Sequence, residues 1–126
     1  MSRSNDRRII FGTVLALMVG LILFVSFLPV GDKRILHTRG RFHPLGHLLA
    51  FASIGFVAVM MPKTFRGRIL FIAGLLLFAF AIEFGEHLIF LAAMEWTDVL
   101  LDFMGVFSGI LLALVSRPQA DFVGRI

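Results

Sequence analysis

Four long apolar segments, separated by short polar connections, dominate the hydrophobic pattern of this chain. They predict helices at about residues 9–30, 44–61, 68–92 and 97–116. A helix needs about 20 mostly apolar residues to cross a bilayer, and inside the hydrocarbon it satisfies its own backbone hydrogen bonds. No alternating apolar and polar pattern competes with helices. We therefore predict an all-α protein, a four-helix transmembrane bundle in which residues 1–126 form a single transmembrane domain.

The overall composition agrees with a membrane protein. Hydrophobic residues make up 59% of the chain and charged residues 16%, and the mean hydropathy is +0.96. Soluble domains are about 45–50% apolar and about 25% charged. The isoelectric point of about 11.1 could suggest nucleic-acid binding, but the basic residues lie in the short connections, where they set membrane orientation. We therefore expect no nucleic-acid partner.

The basic residues predict that both termini are cytoplasmic. Eight of the 12 lysines and arginines lie at the two termini and in the second connection, and four lie in the first connection. Cytoplasmic segments carry the excess of lysine and arginine. The larger group is Arg3, Arg7, Arg8, Lys63, Arg66, Arg68, Arg117 and Arg125, and the smaller is Lys33, Arg34, Arg39 and Arg41.

The third predicted helix carries ionisable residues in its outer half. Glu83, Glu86 and His87 are spaced i, i+3, i+4, which places them on one helical face. A charge at mid-bilayer costs about 2.5–3.5 kcal/mol on the insertion scale. We therefore expect Glu83, the deepest of the three, to face the bundle interior, to be protonated or to be paired.

The second and fourth predicted helices carry further polar residues at the same end. His43 and His47 begin the second helix, and Asp98 and Asp102 begin the fourth. These positions predict an outward-facing polar pocket, although no catalytic residue can be named from them. The predicted ligand-binding residues are Glu83, Glu86, His87, Asp98, Asp102, His47, Arg39 and Arg41.

Other interpretations of the same residues remain open. The carboxylates, histidines and an arginine could neutralise one another and only fix helix register. The histidine and carboxylate spacing would permit a divalent metal ion, but no known signature is complete, so we predict no metal ion and no cofactor. Gly105 and Gly109 form a small-residue patch, which predicts close helix packing.

The stretch from Glu83 to Gly109 resembles the VanZ-like family of small integral membrane proteins. Glu83, Asp98, Gly105 and Gly109 match the family pattern in register. Glu86, Ala92 and Asp102 stand where the family has glutamine, arginine and asparagine, and residues 46–51, around His47, are similar to its histidine-containing segment. The family is named for low-level resistance to glycopeptides of the teicoplanin type. The resemblance implies a multi-pass protein of the cell envelope in the bacterial inner (cytoplasmic) membrane, and it implies no particular reaction.

Our leading hypothesis is therefore a VanZ-like envelope protein with membrane lipids as partners. Its polar pocket would bind an amphiphile, such as a lipid headgroup or a lipid-linked glycan, and we expect binding rather than catalysis. A second hypothesis is an accessory structural subunit of a larger membrane complex, with other membrane proteins as partners. A third is a membrane-embedded metal-dependent hydrolase that uses His47, His87 and the nearby carboxylates.

Overall fold

The computed structural model describes residues 3–35 and 40–116, and within those ranges it contains five helices and no strand. The helices are α1 (Arg3–Ser26), α2 (Val30–Ile35), α3 (His43–Met60), α4 (Phe65–Phe90) and α5 (Trp96–Val115). Four of them, α1, α3, α4 and α5, are long and apolar enough to cross a membrane. The predicted all-α bundle with four spanning helices is confirmed, and the chain is a multi-pass membrane protein.

The first helix ends earlier than predicted, and α2 was not predicted at all. Pro29 lacks a backbone N–H and disfavours a helical conformation in the residue before it. The chain accordingly leaves the helix after Ser26 and resumes as the six-residue α2, in which the Lys33 N–H donates to the Pro29 carbonyl at 3.0 Å. This turn brings Lys33 back over the bundle instead of leaving it in an extended connection.

The α4 boundaries also differ from the prediction, and local capping explains both ends. At the start, the Thr64 hydroxyl accepts a hydrogen bond from the Gly67 N–H at 3.1 Å, so the helix begins at Phe65. At the end, Leu91 has the left-handed conformation, with φ of 51°, which stops the helix after Phe90.

Successive spanning helices alternate in direction, so α3 and α5 run parallel to each other. His43 lies opposite Asp98 near the two N-termini, and Ala52 lies against Gly109 about two and a half to three turns further along. A core between α3, α4 and α5 fills the bundle. It consists of Phe51, Ile54, Ala58, Leu75, Ala79, Ile82 and Val106.

The α3–α5 contact is the most extensive in the bundle, and glycine makes it possible. A Cβ atom built on Gly55 would lie 2.6 Å from the Val106 carbonyl oxygen. One on Gly105 would lie 2.7 Å from the Leu48 carbonyl oxygen, and one on Gly109 would lie 2.0 Å from that of Ala52. The two backbones therefore touch directly, as small residues permit in membrane helices.

Helix α1 packs much more loosely than the others. No residue of Asn5–Ser26 is buried. Leu15, Met18 and Ile22 are partly covered where they contact the core. The bundle thus has its closest contact between α3 and α5, and α4 and α1 pack around this pair, α1 with no buried residue in Asn5–Ser26.

Alanine in place of Gly109 should therefore separate α3 from α5. We expect Gly109→Ala to lower the free energy of unfolding by about 1–3 kcal/mol, the usual cost of overpacking. The matched control is Gly74→Ala in α4, where a Cβ meets no atom within 4 Å and alanine favours the helix. Denaturation in mild detergent measures both, and equal stability of the two variants would contradict this packing.

Candidate functional site

The ionisable side chains of four helices meet at one end of the bundle, which we call the polar end. It forms where α4 finishes, where α3 and α5 begin, and where α2 follows α1. Alternating helix direction brings these termini together. The residues concerned are Lys33, His43, His47, Glu83, Glu86, His87, Asp98 and Asp102.

Two histidines of α3 face two aspartates of α5. The His47 Nδ1–H donates to Asp102 Oδ1 at 2.7 Å, and His43 Nε2 lies 3.0 Å from Asp98 Oδ2. His47 Nε2 is 3.7 Å from the same Asp98 oxygen. Both pairs of residues are spaced i, i+4, and parallel helices with equal rise keep such pairs in register. The two histidines and two aspartates therefore form one cluster across the contact between α3 and α5.

The carboxylates of this cluster are deeply buried. Asp102 is 0% exposed, Asp98 is 6% exposed and Glu83 is 4% exposed. Asp102 Oδ2 has no hydrogen-bond partner within the described parts of the chain. A buried carboxylate is costly unless it is paired and hydrogen-bonded, so the neighbours of these groups determine whether the site is stable.

Lys33 supplies a cation to the polar end. Its Nζ lies 3.2 Å from Glu86 Oε2, its side chain is 8% exposed, and the ammonium sits 5.4 Å from the centre of the Phe90 ring. The sequence analysis used Lys33 as an orientation charge and did not predict this pairing. The signal was Pro29, since a helix break there lets α2 fold back over α4.

Only some of the predicted ligand-binding residues lie together in the structure. His47, Asp98 and Asp102 form the cluster, and Glu83 adjoins it, since ligand atoms of His47, Glu83 and Asp102 lie within 4.8 Å of one another. His43 joins them, although it was left out of the predicted set despite its i, i+4 spacing from His47. Glu86 is turned towards Lys33.

The remaining predicted residues lie outside the cluster. His87 donates from Nδ1 to the Ala92 carbonyl and, with Glu83 and Glu86, lines a side cavity of about 210 Å³. Arg41 is exposed, and Arg39 lies outside the described residues. Gly105 and Gly109 lie deeper, at the α3–α5 contact.

A larger cavity of about 330 Å³ opens between α1, α3 and α4, and its lining is amphiphilic. Its walls are mainly apolar. They include Leu21 and Val25 of α1, Ala50 and Phe51 of α3, and Ile82 of α4. Its polar lining comes from Ser26, Lys33, His43, His47 and Glu86. Asp98 and Asp102 do not line it and lie behind the histidines, on α5.

Fold and site together define a multi-pass helical membrane protein with a buried histidine–carboxylate cluster beside an amphiphilic cavity. Comparisons with known protein families, with curated proteins and with solved structures find no match to this chain. The resemblance to the VanZ-like family therefore stays a prediction.

The Lys33–Glu86 pair should be energetically coupled. Both side chains are largely buried, so removing one leaves the other without its partner in a place that water reaches poorly. We expect Lys33→Met and Glu86→Gln each to destabilise the protein, and the double variant to lose less than the sum. The coupling should be about 0.5–3 kcal/mol. Denaturation in detergent of all four forms measures it, with Arg66→Met, at an exposed position, as a control for loss of charge alone. Additive effects would show that the pair is not coupled.

Proposed function

We propose that this protein binds a membrane lipid whose headgroup contains a phosphate, with the hydrocarbon chain in the 330 Å³ cavity and the headgroup at the polar end. Phospholipids and lipid-linked glycans share this chemistry. The proposal retains the expected VanZ-like role in the bacterial cell envelope, with both termini in the cytoplasm. The register of Glu83, Asp98, Gly105 and Gly109 and the eight-to-four distribution of basic residues support it.

The amphiphilic lining of the cavity is the observation on which the proposal rests. Its volume falls in the range of about 300–1,000 Å³ that is usual for ligand pockets. It opens beside the loosely packed α1, whose Leu21 is 63% exposed. In a bilayer such an apolar groove is filled by hydrocarbon chains, and the polar groups at one end then meet whatever headgroup the chain carries.

The arrangement of donors and acceptors favours a phosphate. Lys33, His43 and His47 line the cavity, Ser26 adds a hydroxyl, and Glu86, also in the lining, is held in an ion pair by Lys33. The acceptors Asp98 and Asp102 hold the two histidines from behind. The Lys33 ammonium and the Ser26 hydroxyl thus face the ligand as donors, and a histidine joins them when it is protonated while an aspartate accepts its other ring N–H. Charge-assisted hydrogen bonds to phosphate oxygens are strong.

Photo-crosslinking in nanodiscs tests the proposal. The probes are a photoactivatable phosphatidylglycerol, a photoactivatable polyprenyl phosphate, and a diacylglycerol with the same chains but no phosphate. We expect at least one phosphate-bearing probe to label the cavity about tenfold more than the diacylglycerol, which corresponds to one charge-assisted hydrogen bond. The phospholipid and polyprenyl probes distinguish the two sources of the headgroup.

A variant that fills the cavity is compared with a variant that carries the same substitution outside it. Ala50→Trp places an indole in the cavity, and Ala81→Trp places one on the exposed face of α4. Labelling should fall in the first variant and persist in the second. Equal labelling of the two variants, or of the phosphate-bearing and phosphate-free probes, would show that the cavity holds only bulk lipid.

A further inference from the structure

We infer that the polar end contains a site for a divalent transition-metal ion of the Zn²⁺ type, with His43 and His47 of α3 and Asp98 of α5 as its protein ligands. The inference goes beyond lipid binding and does not depend on it. It also replaces the sequence-based expectation of no metal ion, which rested on the lack of a complete signature along the chain.

The first argument is the geometry of the three ligand atoms. Ligand atoms of His43, His47 and Asp98 all lie within 4.8 Å of one another. Asp98 Oδ2 lies 3.0 Å from His43 Nε2 and 3.7 Å from His47 Nε2. In a tetrahedral site with metal–ligand bonds of about 2.0–2.2 Å, neighbouring ligand atoms are about 3.3–3.6 Å apart. Small side-chain rotations therefore convert this group into one face of a coordination shell.

The second argument is the support of His47 by Asp102. Metal-binding histidines usually donate their other ring N–H to a carboxylate, which fixes the tautomer and the ring orientation. Asp102 is 0% exposed and accepts from His47 Nδ1 at 2.7 Å, which leaves Nε2 for the ion. The same contact argues against the alternative set His47, Glu83 and Asp102, in which Asp102 would itself be a ligand.

The third argument is charge. Lys33 neutralises Glu86, so whichever of Glu83, Asp98 and Asp102 are ionised need a balancing charge from elsewhere, and Asp102 Oδ2 has no hydrogen-bond partner among the described residues. Two protonated histidines with ring centres 4.6 Å apart would repel each other. One divalent ion supplies the same charge at a point that both rings face.

The donor types define the class of ion. Two imidazoles and one carboxylate suit Zn²⁺ and its first-row neighbours, whereas Mg²⁺ and Ca²⁺ prefer oxygen ligands. Three protein ligands leave a coordination position open. Since His43 and His47 line the 330 Å³ cavity, we place the open position on that side, where a water molecule or a ligand oxygen would complete the shell.

Metal titration of the full chain, purified without a histidine tag and stripped with a chelator, tests the inference. We expect one equivalent of Zn²⁺ per chain, stabilisation against heat by Zn²⁺, and no competition from Mg²⁺ or Ca²⁺. His43→Ala and Asp98→Asn should abolish both effects, and Asp102→Asn should weaken binding about 10–100-fold. His87→Ala is the matched control, because His87 lies at the same end outside the ligand set, and it should bind like the wild type.

A measurement on the unmodified chain covers the case in which these variants fail to fold. Pulsed electron paramagnetic resonance of the Cu²⁺-loaded protein counts coordinated imidazoles, and we expect two. Substoichiometric Zn²⁺, a single coordinated imidazole, or undiminished binding in folded His43→Ala and Asp98→Asn would overturn the inference. Loss of binding in Glu83→Gln with full binding in Asp98→Asn would overturn the ligand assignment. Lipid labelling in the metal-free protein is scored separately, so either proposal can fail alone.

Discussion

The direct backbone contact between α3 and α5 is the constraint on which the rest of the structure depends. Gly55, Gly105 and Gly109 remove the side chains that would hold the two helices apart. Because the helices are parallel and rise equally, the histidines four residues apart on α3 meet the aspartates four residues apart on α5. A longer interaxial distance would break the 2.7 Å contact between His47 and Asp102. Close packing deep in the bundle therefore sets the distances at its polar end.

Helix α1 packs loosely and, unlike α3 and α5, leaves space beside its neighbours. With no residue of Asn5–Ser26 buried, this helix leaves a cavity on one side of the bundle instead of completing the core. The chain then returns through α2, and Lys33 joins the end of α4 by its ion pair with Glu86. The histidine–aspartate cluster thus lies beside a space lined mainly by apolar side chains, and the proposal of lipid binding rests on this combination.

The sequence predicted the helices well and the pairing of side chains only in part. Long apolar runs are sufficient to identify spanning helices, and alternating direction brings their polar ends together, so the position of the polar end followed from the order of the segments. Which residues pair depends on helix rotation and crossing, which no single segment encodes. For this reason His43 was underrated and His87 was placed with the cluster. Lys33 was missed because its position depends on a helix break at Pro29, and a hydrophobic pattern does not record such a break.

The buried groups themselves indicate whether the cluster only fixes helix register. A purely structural network is stable when each buried donor and acceptor has a partner, because an unsatisfied buried group costs about 1–3 kcal/mol. In this cluster Asp102 is fully buried with Oδ2 unpartnered among the described residues, and Glu83 is buried beside it. Register could be fixed at lower cost by one histidine–aspartate pair, since the glycine contact already aligns the helices. Among the described residues, the buried carboxylates of the polar end outnumber the buried cations. Protonation of a carboxyl group and a bound cation would each remove the excess negative charge, and the inferred metal site corresponds to the second.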